Sequence, residues 1–498
     1  MNSPVKRPRA QSDVNGVVSP ASKKTAKKLP VLLLSGFLGA GKTTTLKNIL
    51  TNAKNRRVAV LVNDMAELNI DANAVEGLVQ REQELVQLEN GCICCTLRMD
   101  LVEEVLKLAQ SNKFDALVIE STGISEPMQV AETFAATLPE EVIKAQKNGE
   151  AAALALGRLC DVARLDSCTT VVDVASFFSY FETSKTVQDD AMGLDQEAIS
   201  PEDERSLVGL LTEQVEFADM IVLNKTDLVN KTTLGRVRGA ITRINPRAKI
   251  VESSFGKVPL EDLLGTGRFD IEDSAFWVAN GTRWFAELPG SHKPETLEYG
   301  VGSFIYRREG RPFHPKRLYE WVTEFFLLST TQSVITNVET YDEAKAEEEA
   351  RRENEEKEMD GEEDDEEEEE GDENEEGEDD SDAEPEDEAV ELRESWWEKM
   401  GDKSVLLRSK GCVWVASYPK FCNTWGQSGP YLHLNAEDPW ETMKQTPRTE
   451  LVLIGQDLDR KKLEAQLDSC LITDAELAQG EAAWKALEDP FALVVIRE

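Results

Sequence analysis

Histidine is nearly missing from this chain, with three residues in 498, His292, His314 and His433. That scarcity excludes a site built mainly from imidazoles. His314, at the start of an expected helix, reads as a structural hydrogen-bonding group rather than a metal relay. No apolar run approaches the roughly 20 residues that a membrane-spanning helix needs, so the chain reads as soluble, without a membrane partner. Cysteine is sparse, at eight residues, and no secretory leader is recognisable. A disulfide scaffold is therefore not expected, and a reducing, cytoplasmic compartment is. Cys160, Cys168, Cys412, Cys422 and Cys470 are scattered and read as ordinary buried thiols. Positive charge is outnumbered too: 55 Lys and Arg face 95 Asp and Glu, a formal charge of −40. No nucleic-acid partner is expected of so acidic a chain.

The charge is unevenly spread. Residues 341–390 hold 31 Asp/Glu and 4 Lys/Arg, a local −27 that leaves −13 for the remainder. Such a tract repels itself and cannot bury apolar surface, so 341–397 is expected to be a disordered acidic insertion, a solvating linker first and a weak collector of cations second. Residues 1–29 carry basic clusters, Lys6-Arg7-Pro8-Arg9 and Lys23-Lys24 to Lys27-Lys28, without apolar periodicity. They are expected to form a disordered basic tail; a nuclear signal is the alternative to a plain solvated leader. The 40% apolar content supports sizeable cores, and the length suits two domains.

What is present begins with Val31-Leu32-Leu33-Leu34 running into Gly36-Phe37-Leu38-Gly39-Ala40-Gly41-Lys42-Thr43-Thr44. A strand, a glycine-rich turn, a lysine, a hydroxyl residue and then a helix form a phosphate cradle. Gly36, Gly39, Ala40 and Gly41 let backbone N–H groups converge on phosphate oxygens, Lys42 supplies a cation, and the Thr43 hydroxyl suits Mg²⁺, with Thr44 beside it. Further on, Met220-Ile221-Val222-Leu223 leads into Asn224-Lys225-Thr226-Asp227. Asp227 can accept from guanine N1–H and the 2-amino group, a pattern adenine cannot supply. Asn224 is expected to read the O6/N7 edge, and the Lys225 stem to cover the ring. GTP is thus favoured over ATP.

Between these lies Ala116-Leu117-Val118-Ile119 followed by Glu120-Ser121-Thr122-Gly123. An acid at the carboxyl end of a neighbouring strand can hold Mg²⁺ through its water shell, which gives Glu120 an indirect metal role. A glycine N–H three residues later can contact the γ-phosphate and sense its loss, which gives Gly123 a switch role. Lys42, Thr43, Glu120 and Gly123 are the hydrolytic set; no residue is assigned as a catalytic base.

The third constellation is Gly91-Cys92-Ile93-Cys94-Cys95, three of the eight cysteines within four positions. Adjacent Cys94 and Cys95 are poorly placed to bridge each other. Thiolates favour Zn²⁺, Cu⁺ and similar ions, and zinc usually needs a fourth ligand. A carboxylate, a water or a client protein could supply it. Loading such thiols releases protons, so affinity should rise with pH.

Together these tracts, with Pro127, Val62-Asn63-Asp64-Met65-Ala66-Glu67-Leu68-Asn69-Ile70-Asp71 and Arg311-Pro312-Phe313-His314-Pro315, resemble the CobW-type family of GTPase metallochaperones. The likeness is to the subgroup associated with zinc limitation, whose members carry Asn-Asp-Met where others have Asn-Glu-Phe-Gly, and it covers about 30–335 and 398–475. It implies a P-loop GTPase of the SIMIBI class, with the thiol cluster near the nucleotide and a metal-linked switch. Cys92, Cys94 and Cys95 match the family's Cys-x-Cys-Cys metal motif, and Glu67 matches an acidic position that is a candidate extra ligand. Asp64 stands where many relatives have Glu. The Cys-Pro-Glu-Leu-type docking motif of relatives that activate methionine aminopeptidase is not found near the N-terminus, so that client is not assumed.

The expected organisation is α/β. A P-loop GTPase domain with a mainly parallel sheet occupies 30–262, with strands over Val58–Val62, Leu117–Ile119, Thr169–Asp173 and Ile221–Leu223 and a helix near 101–111. Asp173 reads as the cap of a turn, and 140–159 as a helical insertion. A linker, 263–298, leads to a small α+β C-terminal domain, 299–340 and 398–475, interrupted by the acidic insertion and followed by a tail, 476–498. There, strands are expected at Ser303–Tyr306, Val405–Leu407, Val413–Val415, Tyr431–Leu434 and Leu451–Ile454, and helices at Pro315–Phe326 and Arg460–Leu467; Trp414 and Trp425 read as core or rim. The function so implied is GTP-driven delivery of a transition metal, Zn²⁺ first, to a client metalloprotein. The alternatives are Co²⁺ or Fe²⁺ delivery for cobalamin synthesis or nitrile hydratase, and a zinc buffer in which nucleotide is only an occupancy switch.

Overall fold

The structure, a computed structural model, describes residues 28–53, 56–62, 84–87, 98–134, 159–187, 205–270, 300–331, 333–335, 404–491 and 494–496. Residues 1–27, the acidic tract 341–397 and all of 140–158 lie outside them.

The first sheet is built from runs too apolar for a one-sided strand. β1 (Leu29–Gly36), β2 (Val58–Val62), β4 (Ala116–Glu120) and β6 (Met220–Asn224) are buried at every position, as expected of parallel strands covered on both faces. With β3 (Glu84–Gln87), β5 (Ala163–Asp173) and β7 (Lys249–Glu252) they form a seven-stranded sheet of order β3-β2-β4-β1-β5-β6-β7. Every pairing in it is parallel. β1 therefore sits where the strand order reverses, with β4 on one side and β5 on the other, and that crevice at the carboxyl edge is where open α/β sheets bind ligands. Helices α1 (Lys42–Asn52), α2 (Arg98–Gln110), α3 (Pro127–Glu132), α4 (Leu207–Phe217), α5 (Lys231–Ile244) and the short α6 (Leu260–Leu263) connect the strands. The strand at 249–252 was not foreseen: Lys-Ile-Val-Glu is short and has no fully buried residue.

The second sheet is mixed, with order β8-β14-β11-β12-β13-β9. It comprises β8 (Val301–Glu309), β9 (Leu327–Thr331), β11 (Val405–Val413), β12 (Phe421–Ser428), β13 (Tyr431–Pro439) and β14 (Arg448–Gln456). Only the β13–β9 pairing is parallel. The short β10 (Ser333–Ile335) pairs instead with β15 (Val494–Ile496). The period of two decides which core each residue joins. On β14, Leu451 and Leu453 pack with helices α7 (Pro315–Thr323) and α8 (Arg460–Ser469), while Val452 and Ile454 face α4 and α5 of the first domain. The sheet is thus a filling between two helical layers, and one apolar cluster runs across the domain boundary.

Several sequence expectations shift here. The strand beginning at 405 runs unbroken to Val413. The helix from Pro315 stops at Thr323, and Phe325 and Phe326 turn into the core before β9. His314 caps that helix, its Nδ1 accepting weakly from Arg317 N–H at 3.5 Å. Trp414 and Trp425 are both buried. Residues 476–498 are not merely a tail, because Trp484 and Phe491 are buried among core side chains.

Candidate nucleotide site

The cradle forms at the carboxyl end of β1. Gly41 adopts φ +104, and a Cβ there would lie 2.4 Å from Asn224 Nδ2, so neither the backbone nor the space admits a side chain. That closeness explains the glycine and ties the loop to β6. Asn224 donates from Nδ2 to Ala40 O at 2.9 Å and accepts at Oδ1 from Gly256 N–H at 3.0 Å. Its amide oxygen is therefore committed inside the protein. Asn224, expected to read the base edge, is first a strut between the P-loop and the base loop, with one amide N–H left over.

Lys42 opens α1 and is buried; its Nζ donates to Phe37 O at 3.2 Å, which folds the ammonium back over the glycine turn. The next residue carries the most informative contact. Thr43 Oγ1 donates to Glu120 Oε1 at 2.9 Å across 77 residues of sequence. A hydroxyl and a carboxylate, both hard oxygen donors, meet beside the phosphate cradle, a donor set that suits Mg²⁺.

Gly123 packs over the same turn. A Cβ on it would sit 2.6 Å from Leu38 Cδ2 and 2.9 Å from the Leu38 backbone nitrogen. The Gly123 segment is held from behind by Gln214 of α4, whose Nε2 donates to Gly123 O at 3.0 Å and to Ser125 O at 3.2 Å. Glu126, at the end of the segment, pairs with Arg205 at 2.7 Å. Gln214 was not anticipated, because nothing local distinguishes it from any other helix glutamine.

At the base end, Lys225 adopts the left-handed conformation, φ +61, and its ammonium meets Asp173 Oδ2 at 2.6 Å. Asp173 does cap the following turn, accepting from Ala175 N–H at 2.9 Å, and it also anchors this lysine. Asp227 is exposed. Leu228 and Phe255, the two large apolar side chains most exposed among the described residues, flank it in the loops after β6 and β7. Several hydrogen bonds fix the 253–256 loop. Thr226 Oγ1 donates to Ser253 O at 3.0 Å, Asn48 Nδ2 donates to Phe255 O at 2.7 Å, and Gly256 N–H reaches Asn224. The signal for this loop was Ser253-Ser254-Phe255-Gly256 after a short strand, too ordinary to single out.

Cys92, Cys94, Cys95 and Glu67, with Asp64, lie outside the described residues. Among the described residues no group of three or more His, Cys, Asp or Glu could hold a metal ion. In sequence the cysteines follow β3, which ends at Gln87 on the same edge of the sheet as the cradle. No helix among the described residues is long and apolar enough to cross a membrane.

Residues 30–252 match the CobW/HypB/UreG nucleotide-binding domain, and 389–471 match the cobalamin synthesis protein CobW C-terminal domain. The zinc-regulated GTPase metalloprotein activator 1 of Dictyostelium discoideum is 33% identical over 94% of this chain and 85% of its own length. The zinc chaperone CobW of Pseudomonas aeruginosa is 35% identical over 49% of this chain and 61% of its own. Among solved structures, the Zn(II)-bound YjiA GTPase from E. coli is 19% identical and covers 89% of this chain and 99% of its own, with a TM-score of 0.32.

Proposed function

The chain belongs to the CobW/HypB/UreG family, and from that premise we propose that it is a GTP-hydrolysing metallochaperone that carries Zn²⁺ on Cys92, Cys94 and Cys95 to a client metalloprotein. GTP hydrolysis follows from the family and from the cradle geometry. The observation that carries the reading is the Thr43–Glu120 contact at 2.9 Å beside the buried Lys42. The names of the relatives support zinc as the cargo.

Each residue then has a physical task. The N–H groups of the Gly36–Thr43 loop receive phosphate oxygens, and Lys42 leaves the Phe37 carbonyl to neutralise the β- and γ-phosphates. Thr43 and Glu120 would hold Mg²⁺, which spreads the charge that develops on the phosphates when bound. Asp227 selects guanine, while the Asp173–Lys225 pair and Phe255 wall the base. Gly123 presents its N–H towards the γ-phosphate, and its carbonyl reports any shift to Gln214. Loss of the γ-phosphate releases the Gly123 segment, and that release changes the holding of the metal at the cysteines, a coupling that is reciprocal in binding energy.

GTP turnover with and without one equivalent of Zn²⁺ tests this, beside Glu120→Gln and a variant with Cys92, Cys94 and Cys95 all changed to Ser. Zn²⁺-dependent turnover that vanishes in the triple variant is expected, with a loss of about 10²-fold or more in Glu120→Gln. Equal rates with and without metal would sink the delivery cycle and leave a nucleotide-binding zinc buffer.

A further inference from the structure

Two cysteines that look unrelated in sequence meet in the second sheet. Cys412 on β11 stands opposite Thr424 on β12, and the ladder ends one step on, at Val413 and Asn423. Side chains two apart share a face, so Cys412 and Cys422 lie on one face of the sheet, a diagonal apart. Both pack against the cluster of Trp414, Trp440 and Trp484. Cys422 is a buried thiol as expected, whereas Cys412, read as buried, is only partly so. Cys422 is 2% exposed and packs with Trp414, Trp440 and Trp484, whereas Cys412 is half-buried.

We propose that Cys412 and Cys422 form a reversible redox pair, with Cys412 attacking a peroxide and Cys422 resolving the product to a cross-strand disulfide. The hydrogen bond from Cys422, opposed by burial and helped by the Arg448 guanidinium, pulls the Cys412 thiol below its ordinary range, with Glu450 acting against it. That environment favours the reactive thiolate. It does not favour a cation, because the described residues supply no third ligand. Cys422 lies just beyond the last β11–β12 pair, where the β12–β13 register shifts between Phe421 and Asn423.

The step balances. The Cys412 thiolate forms an S–O bond as the peroxide O–O bond breaks, and the departing hydroxide takes a proton to become water. Cys422 sulfur then attacks Cys412 sulfur, and the S–O bond breaks. That second hydroxide leaves as water with the Cys422 proton. Two thiols and one hydrogen peroxide give one disulfide and two waters.

The test treats the full chain with hydrogen peroxide, blocks remaining thiols with N-ethylmaleimide and digests with trypsin. Cleavage after Lys410, Lys420 and Lys444 places Cys412 and Cys422 on different peptides. The expected result is one cross-linked species joining 411–420 to 421–444, lost on treatment with dithiothreitol. In Cys422→Ser, Cys412 should instead be captured as a sulfenic acid by dimedone. Quenching of tryptophan emission should accompany oxidation of the wild type and be absent in Cys412→Ser, because Trp414 lies against Cys422. Full maleimide labelling of both cysteines after peroxide, or a cross-link from Cys412 to any of Cys92, Cys94 or Cys95 instead, would overturn the proposal.

Discussion

Glu216 on α4 and Arg408 on β11 form a buried two-pronged ion pair, Nε to Oε1 at 2.9 Å and the second guanidinium nitrogen to Oε2 at 3.3 Å. Lys410 adds a third charge at 3.8 Å. Glu216 is 1% exposed and lies two residues from Gln214, which holds the Gly123 segment. One helix therefore grips the nucleotide site with one side chain and the second sheet with another. Burial pushes the Glu216 carboxyl up, but Arg408 and Lys410 together hold it below the usual range.

Removing one partner of that pair leaves a charge in the interior. Arg408→Ala should destabilise by about 3–5 kcal/mol, whereas replacing Glu216, Arg408 and Lys410 together by Met should recover most of the loss. Thermal unfolding of the two variants decides between them. An equal loss in both would show that the pair holds the domains by more than its own charges.

Gln214→Ala unties Gly123 and Ser125 while leaving every phosphate-facing group in place. Two lost hydrogen bonds to carbonyls, at about 1 kcal/mol each, should slow GTP turnover roughly tenfold or more with GDP affinity little changed. Gly123→Ala should be worse, because its Cβ would press on the Leu38 backbone nitrogen. Steady-state turnover beside GDP titration separates the two parameters.

In the proposed site Asp227 accepts two donors from guanine, so Asp227→Asn replaces one acceptor with an N–H donor. Xanthine presents a carbonyl where guanine presents the 2-amino group, and that carbonyl can accept from the new amide. GTP affinity should fall at least tenfold while xanthosine triphosphate gains, since a mispaired buried polar group costs about 1–3 kcal/mol. Competition between the two nucleotides measures it.

Glu476 accepts from both terminal nitrogens of Arg317, at 3.1 and 2.7 Å, and from Thr473 N–H at 2.6 Å. The Arg317 hydrogen bonds, with those of Thr473, outweigh burial and bring its carboxyl down to about 2 from 4.5. A depressed carboxyl stabilises the fold above its unfolded value and loses that contribution as pH falls from about 4.5 towards 2. Arg317→Met should flatten the acid limb of the melting temperature between pH 4.5 and 2.5, with less change near pH 7. An unchanged acid limb would remove Glu476 from the account.

The phosphate cradle, the strands β1, β2, β4 and β6, and the Asn224–Asp227 turn were legible because each is written in consecutive residues. Glycines that need positive φ, four- and five-residue apolar runs and a lysine at a fixed offset carry their chemistry locally. Residues 249–256, Gln214 and the true length of β11 were illegible because their identity depends on what they touch. α4 shows this plainly: nine of its eleven residues are buried, since it lies between two sheets and lacks the polar stripe that would mark a surface helix.

The sequence by itself determined that this chain cradles phosphates and prefers guanine, since loop conformation and hydrogen-bond polarity follow from residue type. Only the tertiary structure decided that Thr43 meets Glu120, that Asn224 braces the P-loop, that Glu216 finds Arg408 and that Cys412 and Cys422 join one tryptophan cluster. Those pairs are separated by 10 to 192 residues. Among 95 acids and eight cysteines, only packing and register say which side chains become neighbours.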